Sequence, residues 1–355
     1  MSGFDSPVGY GPVAGFGAAA LGEAKKLPPG VWATSRGKRL IFQNSDGERL
    51  MGIPSTFTRA SQAWDGTGLV APNTMRVFGR DTKSPVVLIE GQRTNLFLNS
   101  DAPVEQTFAG TGAHTISMHG TGSLQLSGDS TAVVTEGNPV TVTLSNTLTV
   151  TPVGNVQWAQ VEAAPFPSSH IPTDGAPATR AQDNFFVDLP PISADEPLTW
   201  NFALRGQGSR GWGAMSLREA GGGGVSSTTP RVFFGRRTGV LFDVYSYGGG
   251  EYLGLTVEMP EPRLYPITIV TTATHVSLHV DGSLVGVAES TRQLTIGRAF
   301  VGSTGTSTHD YRNLYAPGAA AIGIPFIDNR AWSAEEIQAA HARWLPELAK
   351  IEVPV

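Results

Sequence analysis

The side chains of this sequence best suited to ligand chemistry are aromatic residues beside glycine-rich loops. Tyr247 and Tyr252 bracket the glycine run 248–250, and Trp212 falls in an adjoining predicted loop. An aromatic ring offers a sugar an apolar face, and a phenol or indole adds a polar handle. We predict that these three residues and Arg236 form a ligand-binding surface.

Candidate metal ligands and catalytic dyads are few. His275 and His279 share one face of a predicted strand with Ser277, but no carboxylate stands nearby on that face. His309 and Asp310 lie in a polar loop, and no nucleophile can be assigned to them from the sequence. We therefore predict no metal site and no cofactor.

Hydrolase signatures are equally weak. The segment 127–130 resembles a Gly-Asp-Ser motif, but it lies between alternating strands and is predicted to be a turn. Asp243, Glu251 and Glu258 could supply glycosidase carboxylates, although nothing distinguishes a pair among them. We predict no catalytic residue, and a polysaccharide or ester hydrolase remains the weakest alternative.

The composition restricts the class of protein. The chain of 355 residues has 43 glycines, 25 prolines, no cysteine, 15% charged residues and a net charge of −5. Missing cysteine excludes disulfides and thiolate metal sites, and the negative charge argues against nucleic-acid binding. No apolar run is long enough to span a bilayer, and the N-terminus lacks a signal-peptide pattern.

These features favour many short strands, because glycine and proline disfavour long helices. Alternating patterns at 123–127, 140–144, 147–151 and 156–161 predict strands of a small sandwich. Further along the chain, Asp281-Gly282 between alternating runs predicts a hairpin. Trp200 and Tyr245 are expected in the core of that second region.

One helix is predicted, over 333–346. Ser333 and Glu336 have the spacing of a capping box, and Trp332 and Ile337 that of a hydrophobic staple. Pro346 is predicted to end or kink the helix. The predicted fold class is all-β: an extended N-terminal arm, two antiparallel β-sandwich (jelly-roll) domains and one C-terminal helix.

The predicted domain organisation has four parts. Residues 1–55 form an extended attachment arm, and 56–100 form a clamp or linker segment. Residues 101–184 form a small sandwich with a proline-rich exit. Residues 185–355 form a larger sandwich closed by the helix.

Two motifs resemble segments of tailed-bacteriophage virion proteins such as tail fibres and tail-tip proteins. They are the segment 87–100, with Gln92-Arg93-Thr94-Asn95, and the segment 158–173, followed by Ala178-Thr179-Arg180. Thr58-Arg59-Ala60-Ser61 fits the upstream part of that pattern. In that family the motifs flank a carbohydrate-binding-module-like sandwich, and the region 185–346 resembles the concanavalin-A-like, laminin-G-type fold.

The resemblance implies a non-enzymatic virion protein, located on the tail rather than on the head. The arm would dock onto other virion proteins, the chain would form a homotrimer, and the lectin-like domain would bind host-surface glycan. Neither nucleic-acid binding nor membrane insertion is implied. The alternative is a purely structural head-decoration or tail-wall protein without a ligand.

The residues within the two motifs are predicted to be architectural. A guanidinium with short polar neighbours ties a strand end to carbonyls or to a carboxylate such as Glu162, and prolines fix an extended path. Arg93 and His170 are the two that could instead contact a ligand. The predicted structural set is Glu90, Arg93, Thr94, Asn95, Glu162, Pro167, Ile171 and Pro172.

Overall fold

The structure is a computed structural model. It describes residues 30–33, 39–43, 49–78, 86–193, 195–207, 213–218, 231–238, 241–247, 252–261, 263–289, 295–301, 319–328 and 330–351.

Eight strands precede a small inserted sandwich, and most are short because turn residues interrupt them. They are Gly30–Ala33 (β1), Arg39–Gln43 (β2), Arg49–Thr58 (β3), Ala63–Trp64 (β4), Leu69–Val70 (β5), Arg76–Phe78 (β6), Val86–Glu90 (β7) and Arg93–Asn95 (β8).

The small sandwich consists of seven strands and is called the insert below. They are Gln106–Ala109 (β9), Gly112–His119 (β10), Ser123–Gly128 (β11), Val133–Val134 (β12), Val140–Leu144 (β13), Thr147–Val153 (β14) and Trp158–Glu162 (β15). The order β13-β10-β15 forms one sheet and β12-β11-β14-β9 the other. Alternating apolar residues of both sheets, such as Ile116, Leu126 and Val150, form its core. The four strands predicted from alternation here are confirmed.

Twelve strands and one helix follow the insert. They are Ala178–Arg180 (β16), Asn184–Ile192 (β17), Leu198–Gln207 (β18), Gly213–Arg218 (β19), Arg231–Thr238 (β20), Leu241–Tyr247 (β21), Tyr252–Glu258 (β22), Tyr265–Thr271 (β23), His275–Val280 (β24), Ser283–Glu289 (β25), Ile296–Val301 (β26), Ala319–Asp328 (β27) and Ala334–Leu348 (α1).

The larger sandwich contains strands from both sides of the insert. One sheet has the order β1-β2-β3-β17-β26-β19-β20-β21-β22, and the other has the order β25-β24-β23-β18-β27-β7-β6. Their facing side chains share one core that includes Phe57, Val87, Trp200 and Phe234. The burial of Trp200 is as predicted. Strands β3, β6 and β7, from segments predicted as arm and linker, thus belong to the larger sandwich.

The seven-stranded sheet is covered on both faces. Helix α1 lies on its outer face, where Ile337 and Ala340 pack with Val270, and Leu348 packs with Leu88. Every residue of β7 and β23 is therefore buried, and neither strand alternates. A strand between two apolar layers has no polar face.

The capping box predicted at Ser333 and Glu336 is confirmed by both of its hydrogen bonds. The predicted end at Pro346 is wrong, because α1 continues to Leu348. A proline this close to the C-terminus costs few helical bonds, and Leu348 is held against the sheet. The Asp281-Gly282 hairpin is confirmed, with φ of 53° and 81° at its two central residues. The all-β fold class with one C-terminal helix is confirmed.

Candidate functional site

The insert joins the larger sandwich through two antiparallel chain segments. Strand β8 enters the insert and β16 leaves it, and Arg93, Thr94 and Asn95 pair with Arg180, Thr179 and Ala178. We call this pair of strands the ribbon. The hydroxyls of Thr94 and Thr179 lie 2.8 Å apart across it. Both crossings between the sandwiches therefore lie side by side.

Below the ribbon lies a buried group of charged residues, which we call the clamp: Arg59, Arg76, Glu90, Arg180 and Asp183. Arg76 donates to Glu90 and Asp183, and Arg59 donates to Asp183 at 3.0 Å. Arg59 also donates to the carbonyls of residues 61, 71 and 74. The clamp thus ties together chain segments more than 100 residues apart.

Glu90 is the acceptor at the centre of the clamp. It accepts hydrogen bonds from the Ser169 amide at 2.8 Å and from its hydroxyl, and Arg180 lies 3.5 Å away. Burial acts to raise the pKa of Glu90, but Arg180, Arg76 and Ser169 outweigh it and lower that pKa to about 2. The carboxylate therefore stays ionised through the range in which most proteins are stable.

A second polar group anchors the exit segment of the insert. Glu162 accepts from the amide of Ser168 at 2.8 Å and from its hydroxyl at 2.6 Å. Burial raises the pKa of Glu162 above its ordinary value. Gln160 accepts from the amide of Ile171, and Asn95 donates to the carbonyl of Ile171 at 2.9 Å. These bonds fix the proline-containing path between Glu162 and β16.

The motif residues at this exit are largely buried. Pro167 and Ile171 are buried, and Pro172 is half-buried. Arg93 is half-buried, stacks on Phe166 with 4.5 Å between the guanidinium carbon and the ring centroid, and donates to the Gln92 carbonyl. The carbonyl partner fits the expectation from the sequence. The carboxylate of Glu162 is held by Ser168 instead.

An aromatic stack lies beside the ribbon. The ring of His170 stacks on that of Trp158 with 4.5 Å between their centroids. The ring of His119 also stacks on Trp158, at 6.0 Å, and Trp64 approaches His170 edge-on. His170 bonds to Asp101 at 2.7 Å, and burial lowers its pKa. Trp158 thus stacks with two histidine rings and is half-buried.

The predicted ligand-binding residues are described only in part. Trp212 lies outside the described residues. The backbone places Tyr247 at the end of β21 and Tyr252 at the start of β22, at one end of the hairpin at the edge of the nine-stranded sheet. Arg236 pairs with Phe242, five residues along β21 from Tyr247, which is about 17 Å at ~3.4 Å per residue. The backbone thus brings the two tyrosines together and separates Arg236 from Tyr247.

The remaining candidates have ordinary surroundings. His279 lies 3.3 Å from the Ser277 hydroxyl, as strand alternation predicted. Ser127 and Gly128 end β11, so the prediction of a turn over 127–130 is wrong for its first half, and Asp129 after the strand accepts hydrogen bonds from the amides of Ser145 and Asn146. Within the described ranges no three histidine, aspartate or glutamate side chains cluster as metal ligands. His309, Asp310 and Glu251 lie outside those ranges.

Sequence reasoning missed two members of the clamp, Arg76 and Asp183. A signal was present for Arg76, since a charged residue stands alone between the apolar residues Met75 and Val77. Asp183 had no such signal, because its partners are distant in sequence.

Among the described residues, no helix is long and apolar enough to cross a membrane.

No protein-family model matches the sequence, and no curated protein sequence is detectably similar to it. Part of the chain is similar to the receptor-binding domain of botulinum neurotoxin C/D mosaic serotype, with 13% identity and a TM-score of 0.36 over 46% of this chain and 40% of that chain. A Trypanosoma rangeli sialidase mutant displaying trans-sialidase activity gives 12% identity and a TM-score of 0.35 over 45% of this chain and 26% of that chain. The chain thus spans two fifths or less of these structures.

Proposed function

We propose that this protein is a non-enzymatic component of a tailed-bacteriophage virion, of the fibre or spike type, whose larger sandwich binds host-surface glycan. The observation that carries the proposal is the clamp. The two motifs that resemble phage virion proteins supply Glu90, Ser169 and Arg180, and Arg59 comes from the upstream pattern. In this structure the residues that carry the resemblance therefore hold the exit segment of the insert against the larger sandwich.

A mechanical role follows from this geometry. Two adjacent strands connect the sandwiches, and Glu90 of the clamp holds Ser169 of the exit segment, so the insert does not hang on a single tether. A fibre or spike must hold its outer domain at a fixed distance and direction. The proposed homotrimer and the attachment of residues 1–55 to other virion proteins extend this role.

The glycan-binding part of the proposal rests on the edge of the larger sandwich. Tyr247 and Tyr252 begin and end the β21–β22 connection, at one end of an edge hairpin. Loops at the ends of a rigid β-sandwich commonly carry binding residues. The site would take a sugar ring by stacking, without a metal or cofactor.

The test applies the full-length chain to an array of bacterial surface glycans, with its mass measured by light scattering on the same sample. We expect a trimer that binds a defined glycan. Tyr247→Ala and Tyr252→Ala should each weaken binding about tenfold, because losing an aromatic anchor costs ~1.4 kcal/mol or more.

His119→Ala is the matched control, since it removes an exposed ring from the aromatic stack of the insert. It should leave glycan binding unchanged. If only His119→Ala weakened glycan binding, the binding site would lie in the insert instead of the larger sandwich. Absence of binding by a well-folded trimer would favour the purely structural alternative, and release of reducing ends would show a hydrolase.

A further inference from the structure

The clamp and the ribbon carry more positive than negative charge. Four guanidinium groups lie here: that of Arg59 is in electrostatic range of Arg76 and Arg180, that of Arg93 is in range of Arg180, and the described carboxylates beside them are three. The three carboxylates belong to Glu90, Glu162 and Asp183. Burial raises the pKa of Glu162, so the surroundings disfavour the negative charge of this carboxylate. Excess charge in a buried region requires compensation.

The excess is concentrated at one cross-strand pair. Arg93 and Arg180 are directly opposed in the antiparallel ribbon, so their side chains leave the same face. Like charges in this position destabilise a strand pair. Arg180 is 1% exposed, and the pKa of Arg93 is lowered by burial and by the charge of Arg180.

Several donors of these arginines have no acceptor among the described residues. They are Nε and Nη1 of Arg180, Nε of Arg93 and Nε of Arg76, and all four atoms are buried. The remaining Arg180 nitrogen, Nη2, donates to the Gly91 carbonyl at 2.7 Å. Buried guanidinium donors are normally paired, because each unpaired donor costs free energy.

We propose that the face of the ribbon carrying Arg93 and Arg180 binds a small monovalent anion of the halide class, such as chloride. One such ion would offset the excess charge and accept hydrogen bonds from donors that otherwise lack them. The ion would exchange with solvent past Arg93, which is half-buried, whereas Arg180 is enclosed. This inference does not depend on glycan binding.

Thermal unfolding of the full-length chain tests the site. Sodium chloride and sodium gluconate are compared at equal ionic strength, so that general screening cancels. We expect the midpoint to rise by about 2–5 °C for each tenfold increase in chloride above the dissociation constant, and to stay lower in gluconate. Equal midpoints in both salts would overturn the proposal, because the donors would then bind water.

Arg93→Gln separates an anion site from a merely structural arginine. This substitution removes one of the two opposed charges, so the response to chloride should disappear. In gluconate the variant should be at least as stable as the wild type, because the repulsion from Arg180 is gone. A variant that is less stable in gluconate and keeps the chloride response would contradict the proposal.

Arg263→Gln is the matched control. Arg263 also stacks on an aromatic ring, that of Tyr265 at 3.9 Å, but its guanidinium is paired with Asp281. This variant should keep the full chloride response. A crystal grown in sodium bromide gives the independent readout, with an anomalous peak expected beside the Arg180 guanidinium. A crystal without that peak would overturn the assignment even if the midpoints behaved as expected.

Discussion

The molecule contains two buried polar networks that hold its parts together in different ways. The clamp is ionic, and it joins Arg76 to Glu90 and Asp183. The network beneath α1 is neutral: His341 bonds to the amide of Gly282 at 2.6 Å and to the hydroxyl of Thr268 at 2.7 Å. Thr268 in turn donates to Asn201.

The neutral network has a defined proton arrangement. The Gly282 amide is a donor, so His341 Nδ1 accepts, and the ring proton lies on Nε2 and is donated to Thr268. Burial lowers the pKa of His341 to about 4, so the ring is uncharged at neutral pH. We call the network of His341, Gly282, Thr268 and Asn201 the helix seat. The clamp should lose stability when a charged partner is removed, whereas the helix seat should lose stability when His341 gains a proton.

Removing a clamp carboxylate should have the largest effect. Asp183→Ala leaves Arg59 and Arg76 buried without one of their acceptors, and breaking a buried ion pair in this way costs about 3–5 kcal/mol. The free energy of unfolding from urea titration measures this loss. Asp188→Ala is the control, because the partly exposed Asp188–Arg298 pair should contribute only ~0–1 kcal/mol. Equal losses of unfolding free energy in the two variants would contradict the claim that the clamp stabilises the fold.

The helix seat should show its effect in the pH dependence of stability. The unfolded chain takes up a proton at His341 near pH 6.5, whereas the folded chain does so only near pH 4. Stability should therefore fall as the pH is lowered from about 6.5 to 4, by up to about 3 kcal/mol from this group. Urea titrations across that range measure the fall.

His341→Gln can keep one acceptor and one donor but does not titrate, so its pH profile should be flatter than that of the wild type. His275→Gln provides the control, since His275 is exposed. The pKa of Glu90 near 2 keeps that clamp carboxylate ionised in this window. If His341→Gln and the wild type lost stability in parallel, the seat would not depend on an uncharged ring.

The smallest effect is expected at the start of α1. Ser333→Ala removes the hydroxyl that accepts from the Glu336 amide, which should cost about 1 kcal/mol. Ser333→Asp keeps an acceptor and should cost much less. Thermal unfolding resolves this difference, and equal losses would show that the cap does not stabilise the fold.

Local patterns were sufficient to predict elements that short-range chemistry determines. Asp281-Gly282 predicted its hairpin because a two-residue turn needs positive φ at both positions. Ser333 and Glu336 predicted the start of α1, and alternation predicted β11 and β13 because each of these strands has one buried face.

Long-range pairing could not be predicted in the same way. Strand β7 pairs with β27, more than 200 residues later, so nothing local assigns the segment before the insert to the larger sandwich. The clamp had the same difficulty, since Asp183 becomes informative only when it meets Arg59 and Arg76. The resemblance to phage proteins singled out the segments that contain Glu90 and Arg180, but it did not predict that these two side chains meet.

Native-state hydrogen exchange of the full-length chain, followed by mass spectrometry, tests the central claim that the clamp fixes the insert to the larger sandwich. We predict that the ribbon amides of β8 and β16 exchange as slowly as those of the insert core in β10, because all open only on global unfolding. Fast exchange in the ribbon, with both sandwiches still protected, would contradict this claim and show a flexible hinge.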